Sequence, residues 1–418
     1  MNELLLIVRR SLRQHALSTV VTAFAIALAS GLVMSVFVIQ KQTYQAFTGG
    51  DVGFDAVLGA RGSQLQLVLN TIFHLETSPG NIPFSLYREI AKNPQVELAI
   101  PYAVGDNYQG FRIVGSTQEI FTKFEYRRGQ KFEIETGGNI FNQKAKEAVI
   151  GTFVAQQTGL KVGDVFQPYH GLIFDENAKH DDDYKVVGIL KTTNSPSDRV
   201  IWIPIEGIYR MKGHVLRGTG ENYKAQADQE IPEEAKEVSA VMLKLKSLQA
   251  GISLEQTINK QGKVATLAFP IGRTMAELFD KIGWINRVLE LIAYLVVIVA
   301  AFSILASIYN SINERRREFA ILRALGAKRT TVFSVIILES AITALIGAVC
   351  GFAVYLAILF ATALIVRNQT GVILNIFQFD WILILTPIGM TIVGAIAGMI
   401  PAFKAYRTDV AENLTPSS

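Results

Sequence analysis

Four apolar stretches, each about as long as a bilayer crossing needs, constrain this chain more than any other feature. Ser18–Gln40, Leu291–Ile312 and Trp381–Phe403 carry no charge, and Thr330–Val366 carries only Glu339. A hydrocarbon layer of about 30 Å takes about 20 helical residues. A backbone in lipid must satisfy its own hydrogen bonds, so each stretch predicts a transmembrane helix. Thr330–Val366 is too long for one perpendicular crossing, which puts its start, with Glu339, in the interface or beyond it. The insertion from residue 41 to about residue 280 has apolar runs throughout and no low-complexity tract, so it predicts a folded domain. The expected fold is an α-helical membrane protein with four transmembrane helices and an α+β extracytoplasmic domain between the first and the second.

Charge sets the expected orientation. The formal net charge is +4, but residues 51–280 hold 25 Lys and Arg against 28 Asp and Glu, and the rest holds 15 against 8. The surplus flanks the apolar runs. Arg9, Arg10 and Arg13 precede the first, and Lys404 and Arg407 follow the fourth. Arg315, Arg316, Arg317, Arg323, Lys328 and Arg329 crowd the loop between the second and the third. Basic loops stay in the cytoplasm, so both termini are expected on the cytoplasmic side of the membrane and the large insertion on the other. The same pattern reads as topology and lipid contact, not as nucleic-acid binding. Asn2–Gln14, with Leu4 to Val8 ahead of its arginines, suits a helix on the inner membrane surface. The first run exceeds the core of about 7–15 residues of a secretory signal, so an uncleaved anchor is expected. The lone Cys350 excludes an intramolecular disulfide and a cysteine-rich metal site.

These signals divide the chain into an interfacial helix (1–16), a first span (17–40), the α+β domain (41–273), a stalk running as one helix into the second span (274–312), a basic loop (313–329), a third span (330–366), an outer loop (367–380), a fourth span (381–403) and a tail (404–418). Within the domain, Phe84–Lys92 and Thr152–Gly159 read as helices. Val96–Ile100, Phe111–Val114, Ala148–Ile150, Tyr184–Leu190, Val200–Ile205 and Val238–Leu245 read as strands, rich in β-branched and aromatic residues and bounded by turn formers. Gly213–Glu237 is polar and reads as an exposed, mobile loop. Gly347 and Gly351, and again Gly394 and Gly398, form small-residue pairs that allow close helix packing.

The basic loop, Asn313–Arg329, reads NERRREFAILRALGAKR. Phe319, Leu322 and Leu325 recur at helical spacing, and Gly326 supplies a left-handed stop. Such an amphipathic helix either lies on lipid headgroups by its arginines or docks on a partner. Glu314, Glu318 and the run Ile321–Ala327 resemble the cytoplasmic loop of the FtsX-like permeases, the membrane subunits of macrolide-exporter, lipoprotein-releasing and cell-division ABC systems. The resemblance implies a coupling helix that rests on a cytoplasmic ABC ATPase subunit, with Glu314, Glu318, Phe319, Leu322, Arg323, Leu325 and Gly326 as the coupling residues. Glu147–Gly151, Gly159–Asp164 and Val186–Leu190 are similar to the porter-like outer domain of the same family. By that resemblance the protein is a mechanotransmitter. ATP-driven closure of the ATPase subunits moves the outer domain for export or for lipid or lipoprotein extraction. The implied partners are a second permease copy or a sister permease, membrane lipids, and a periplasmic or outer-membrane protein or lipoprotein. The alternative is a sensor of the cell envelope that signals through the stalk without transport.

The chain holds no phosphate loop; Gly326–Thr331 resembles only the end of one and follows no strand. It holds no nucleophile elbow and no H-E-x-x-H. No catalytic residue and no cofactor is expected, and ATPase activity is expected only in a partner. His170, Asp175, Glu176, His180, Asp181, Asp182 and Asp183 mix imidazoles with carboxylates, which can ligate a divalent metal. Their spacing matches no ligand pattern. The stretch therefore reads as a solvated acidic loop, with His170, His180 and Asp181 as its candidate ligands. Glu339 is expected to pair with a loop arginine, a proton relay being the other option.

Overall fold

The computed structural model describes residues 2–48, 53–211, 230–372 and 374–407. The chain divides into two compact units, one formed by Met1–Thr43, Ile282–Leu364 and Leu374–Ser418, the other by Tyr44–Lys281 and Ile365–Ile373.

The first unit is helical. Asn2–Gln14 forms a short helix, and among the described residues four helices are long and apolar enough to cross a membrane: Ala16–Thr48, Gly283–Glu314, Arg329–Thr370 and Ile382–Arg407. At 1.5 Å per residue the third runs for about 63 Å, twice the hydrocarbon thickness, so it extends beyond the bilayer. Small and branched residues fill the space between these helices, among them Ile26, Ala29, Ile304, Ile336, Ala344, Ala348 and Ala397. Gly347 and Gly351 lie where the third span crosses the first. A Cβ at Gly347 would stand 2.6 Å from the Ala23 carbonyl oxygen, and one at Gly351 would stand 2.7 Å from Ser30 Oγ. Gly394 and Gly398 lie where the fourth span crosses the third, facing Ala344 and Ser340. Lys41 Nζ donates to Asp380 Oδ2 at 2.6 Å. That bond, with the Ile382 backbone N–H, holds the Asp380 carboxyl below the usual carboxylate range.

The second unit is α+β. Among the described residues, ten strands form one mixed sheet. Nine run in the order Ala265–Ala268, Ala56–Ala60, Ala240–Leu245, Val96–Tyr108, Phe111–Ser116, Ile201–Pro204, Glu147–Ile150, Tyr184–Ile189 and Val165–Phe166, and Tyr169–His170 pairs with Val96–Tyr108 outside this path. Alternation along the strands builds two cores. Leu58, Ile201, Ile203, Val241 and Leu243 point into one, while Val57, Trp202, Ala240 and Met242 point into the other. The sequence-predicted strands are present, the last of them split at Ser239. Helix Thr152–Thr158 ends at Gly159, which takes a left-handed φ of 75°.

Two expectations are corrected. The stalk and the second span are not one helix: Ile271–Lys281 and Gly283–Glu314 are separate, broken at Ile282 beside Gly283, a residue that weakens helix continuity. The expected mobile loop 213–237 lies outside the described residues up to 229. Its end is packed, with Ile231, Ala235 and Lys236 buried and Glu237–Val238 paired to Ile82–Pro83.

Candidate functional site

The basic loop folds as helix Arg316–Ala324. Gly326 takes φ +100°; its N–H donates to the Arg323 carbonyl at 3.1 Å, and the Ala327 N–H donates to the Leu322 carbonyl at 3.0 Å. This paired closure satisfies the last carbonyls and fixes the chain direction into the third span.

Spacing puts Phe319, Leu322 and Leu325 on one face, and the structure divides them between the bundle and the surface. Phe319 is buried in the core of the helical unit, and Leu322 packs partly against the same core. The loop helix spends this face on its own bundle, where apolar surface is already available. Leu325 lies past the last helical turn and is 81% exposed; Ile321 is 44% exposed. With Arg317, Glu318 and Ala324 they form the uncovered face. Glu314 stands exposed beside His15, 3.4 Å from its Nδ1. Arg323 is half-buried.

A buried polar network locks this helix in place. Arg315, Glu339 and Ser11 are each at most 6% exposed. Arg315 Nη1 donates to Ser11 Oγ at 2.6 Å and to Glu339 Oε2 at 3.2 Å, and Ser11 Oγ donates to Glu339 Oε1 at 2.7 Å. Arg315 Nε donates to Glu318 Oε2 at 3.1 Å, and its guanidinium lies 4.8 Å from the Phe319 ring centroid. Glu339 thus pairs with a loop arginine. The network joins the N-terminal helix, the loop helix and the third span. Ser11 escaped the sequence reading, because nothing local marks one serine in a basic helix as buried.

In the α+β unit the acidic stretch is not simply a solvated loop. His170 and His180 converge on Asp106, a residue the sequence reading did not single out. Nothing in the sequence marks it as buried; it stands in the polar pair Asp106–Asn107 of a strand that also carries the exposed acid Glu97. Asp181 is exposed and lies outside this group. Asp182 pairs with Lys146 at 2.6 Å, and Asp183 accepts from Gln167 at 2.7 Å. Burial pushes the nearby Tyr184 hydroxyl up, and the charges of Asp182 and Asp106 add to the rise.

Residues 290–410 match the model of the FtsX-like permease C-terminal region, and residues 19–260 match that of the MacB-like periplasmic core domain. The chain belongs to the FtsX-like, MacB-type ABC transporter permeases. This permease is 25% identical over 296 residues to an uncharacterized ABC transporter permease of Methanocaldococcus jannaschii, covering 69% of this chain and 67% of the relative. It is 24% identical over 447 residues to the macrolide export ATP-binding/permease protein MacB of Escherichia coli, covering 99% of this chain and 60% of that protein. A Bordetella avium MacB is 26% identical over 130 residues, 31% of this chain and 19% of the relative. The chain thus spans well under the full length of both MacB relatives. The periplasmic region of MacB from Actinobacillus actinomycetemcomitans aligns to 55% of this permease and 94% of its own length, at 10% identity and a TM-score of 0.34. The permease is a multi-pass membrane protein, with its α+β domain between the first and second spans.

Proposed function

We propose that this permease is the membrane subunit of a mechanotransmitting ABC system, passing ATP hydrolysis on a separate ATPase subunit to its α+β domain. The work done there is export, or extraction of a lipid or lipoprotein. The observation that carries the reading is the loop helix. It is locked to its own bundle through Phe319 and Arg315 while it keeps Ile321 and Leu325 exposed. A helix held this way passes a push to the spans instead of bending away from it. These 418 residues hold no phosphate loop, so the nucleotide-binding part of such a system lies outside them. Two ATPase copies closing on each other call for a second permease, identical or related.

A partner groove that covers Leu325 would have to bury any charge put there, at a cost of several kcal/mol. Leu325→Asp and Ile321→Asp are therefore expected to weaken ATPase co-purification at least about 100-fold, since each 1.4 kcal/mol is tenfold. Arg317→Ala is expected to change it little. If the arginine variant lost as much as the leucine variant, the helix would be a headgroup anchor and the coupling role would fall.

Basic residues on the loop and at both ends support cytoplasmic termini and an extracytoplasmic domain. In a Cys350→Ser background, a cysteine at Thr192 should react with an impermeant thiol reagent in intact cells, and one at Lys328 should not. Labelling in the opposite order would invert the topology.

A further inference from the structure

We propose that Asp106, His170 and His180 form a binding site for a divalent transition-metal cation of the zinc type in the α+β domain. Backbone pairing alone brings the three together. Asp106 stands opposite His170 in the antiparallel pairing of Val96–Tyr108 with Tyr169–His170. A register shift between Val104 and Asp106 marks a bulge where that strand meets Phe111–Ser116, the kind of irregularity that re-aims a side chain. The chain then loops out and returns: the His180 N–H donates to the Pro168 carbonyl at 2.8 Å, and Lys179 bridges Tyr169. Asn107 Nδ2 ties the loop down through the carbonyls of Gly171 at 2.9 Å and Ile173 at 3.3 Å. Two strands and a pinned loop thus hold the three groups before any cation arrives, which lowers the cost of assembling a site.

The distances suit a small cation. His180 Nε2 lies 3.0 Å and His170 Nδ1 3.5 Å from the same oxygen, Asp106 Oδ1. One ligand atom from each residue falls within 4.8 Å of the other two. Tetrahedral zinc, with bonds of about 2.0–2.1 Å, needs ligand atoms about 3.3 Å apart. The imidazoles stand at 80° with centroids 5.5 Å apart, so they converge instead of stacking. Asp106 is fully buried and His180 is 7% exposed, while the His170 side chain is 54% exposed. This leaves one side open for entry and for a solvent ligand. Two imidazoles with one carboxylate favour zinc, cobalt, nickel or copper over calcium or magnesium, which take oxygen ligands. A bound cation would cross-link the loop between His170 and His180 to the central sheet.

The test is metal analysis of the full-length permease in detergent, stripped with chelator and equilibrated with Zn2+ alone. One zinc per chain is expected, and Co2+ in its place should give the intense visible absorption of a tetrahedral site. His170→Ala removes an exposed ligand without touching the core. It is expected to weaken binding at least about tenfold, since even outer-shell changes cost that much. His180→Ala should abolish binding, and Asp106→Asn, which keeps the buried shape, should do the same. Asp181→Asn and Asp183→Asn should retain the metal. Absence of stoichiometric zinc in the parent protein would overturn the proposal. So would zinc kept by both histidine variants, or zinc displaced by millimolar Ca2+ or Mg2+.

Discussion

Arg315→Ala is expected to destabilise the helical unit by about 3–5 kcal/mol, because it leaves Glu339 buried and without its cation. The argument rests on burial. An exposed ion pair contributes about 0–1 kcal/mol, since water screens each charge nearly as well as the partner does. Arg315 is 6% exposed and Glu339 is 5% exposed, so neither has water to fall back on. Removing the guanidinium takes away the donors to Ser11, Glu339 and Glu318 together. Ser11→Ala removes one hydroxyl and should cost about 1 kcal/mol. Replacing both charges at once, as in Arg315→Met with Glu339→Leu, should recover much of the loss, because the uncompensated charge is what costs. Thermal unfolding in detergent of the two single variants and the double variant checks the order. A single-variant cost under about 1 kcal/mol would mean the pair is effectively solvated. The network also has a functional readout distinct from docking. Arg315→Ala leaves Ile321 and Leu325 in place, so ATPase co-purification should persist while the coupling of hydrolysis to the transported load falls.

The membrane architecture was legible because it depends on length and polarity, which local sequence carries. The strands along Val96–Tyr108 and Ile201–Pro204 were legible from their β-branched and aromatic residues. Ala56–Ala60 and Ala265–Ala268 were missed, since alanine and glycine carry little strand preference even where pairing to neighbours makes a strand. The site was harder to read for a different reason. Helical spacing shows that Phe319 and Leu322 share a face, but not which body covers it. The run of arginines reads as a lipid-facing signal, yet its first member turns inward to a glutamate in the next span and a serine 304 residues away. His170 and His180 were visible as possible ligands. The third group, Asp106, sits 64 and 74 residues earlier in the chain, and only strand pairing brings it to them.

Gly347→Leu is expected to destabilise the helical unit by about 3 kcal/mol, the upper end of the overpacking range. In lipid, helices gain little from hiding apolar surface and depend on close packing, so a lost contact has no solvent term to replace it. A Cβ at Gly347 would lie 2.6 Å from the Ala23 carbonyl oxygen and 2.7 Å from Ile26 Cβ. Neither atom can swing aside, so the first and third spans would have to separate along the whole crossing. That separation would also stretch the bond from Ser30 Oγ to the Ala348 carbonyl, now 3.2 Å. At Gly398 a Cβ would meet Ser340 Oγ, which can rotate once it gives up its bond to the Ile336 carbonyl, and Ser340 Cβ at 2.7 Å, which cannot. Its nearest backbone atom, the Ile336 carbonyl oxygen, is 3.8 Å away, against 2.6 Å for the Ala23 carbonyl oxygen at Gly347, so Gly398→Ala should cost less than Gly347→Ala. Gly389, in the fourth span, has nothing within 4 Å of a built Cβ. Gly389→Ala should be neutral or stabilising by up to about 1 kcal/mol through helix propensity. Thermal midpoints of the variants in one detergent, read with the yield of monodisperse protein, decide the matter. Equal midpoints for Gly347→Leu and Gly389→Ala would show that the first and third spans do not meet at this crossing.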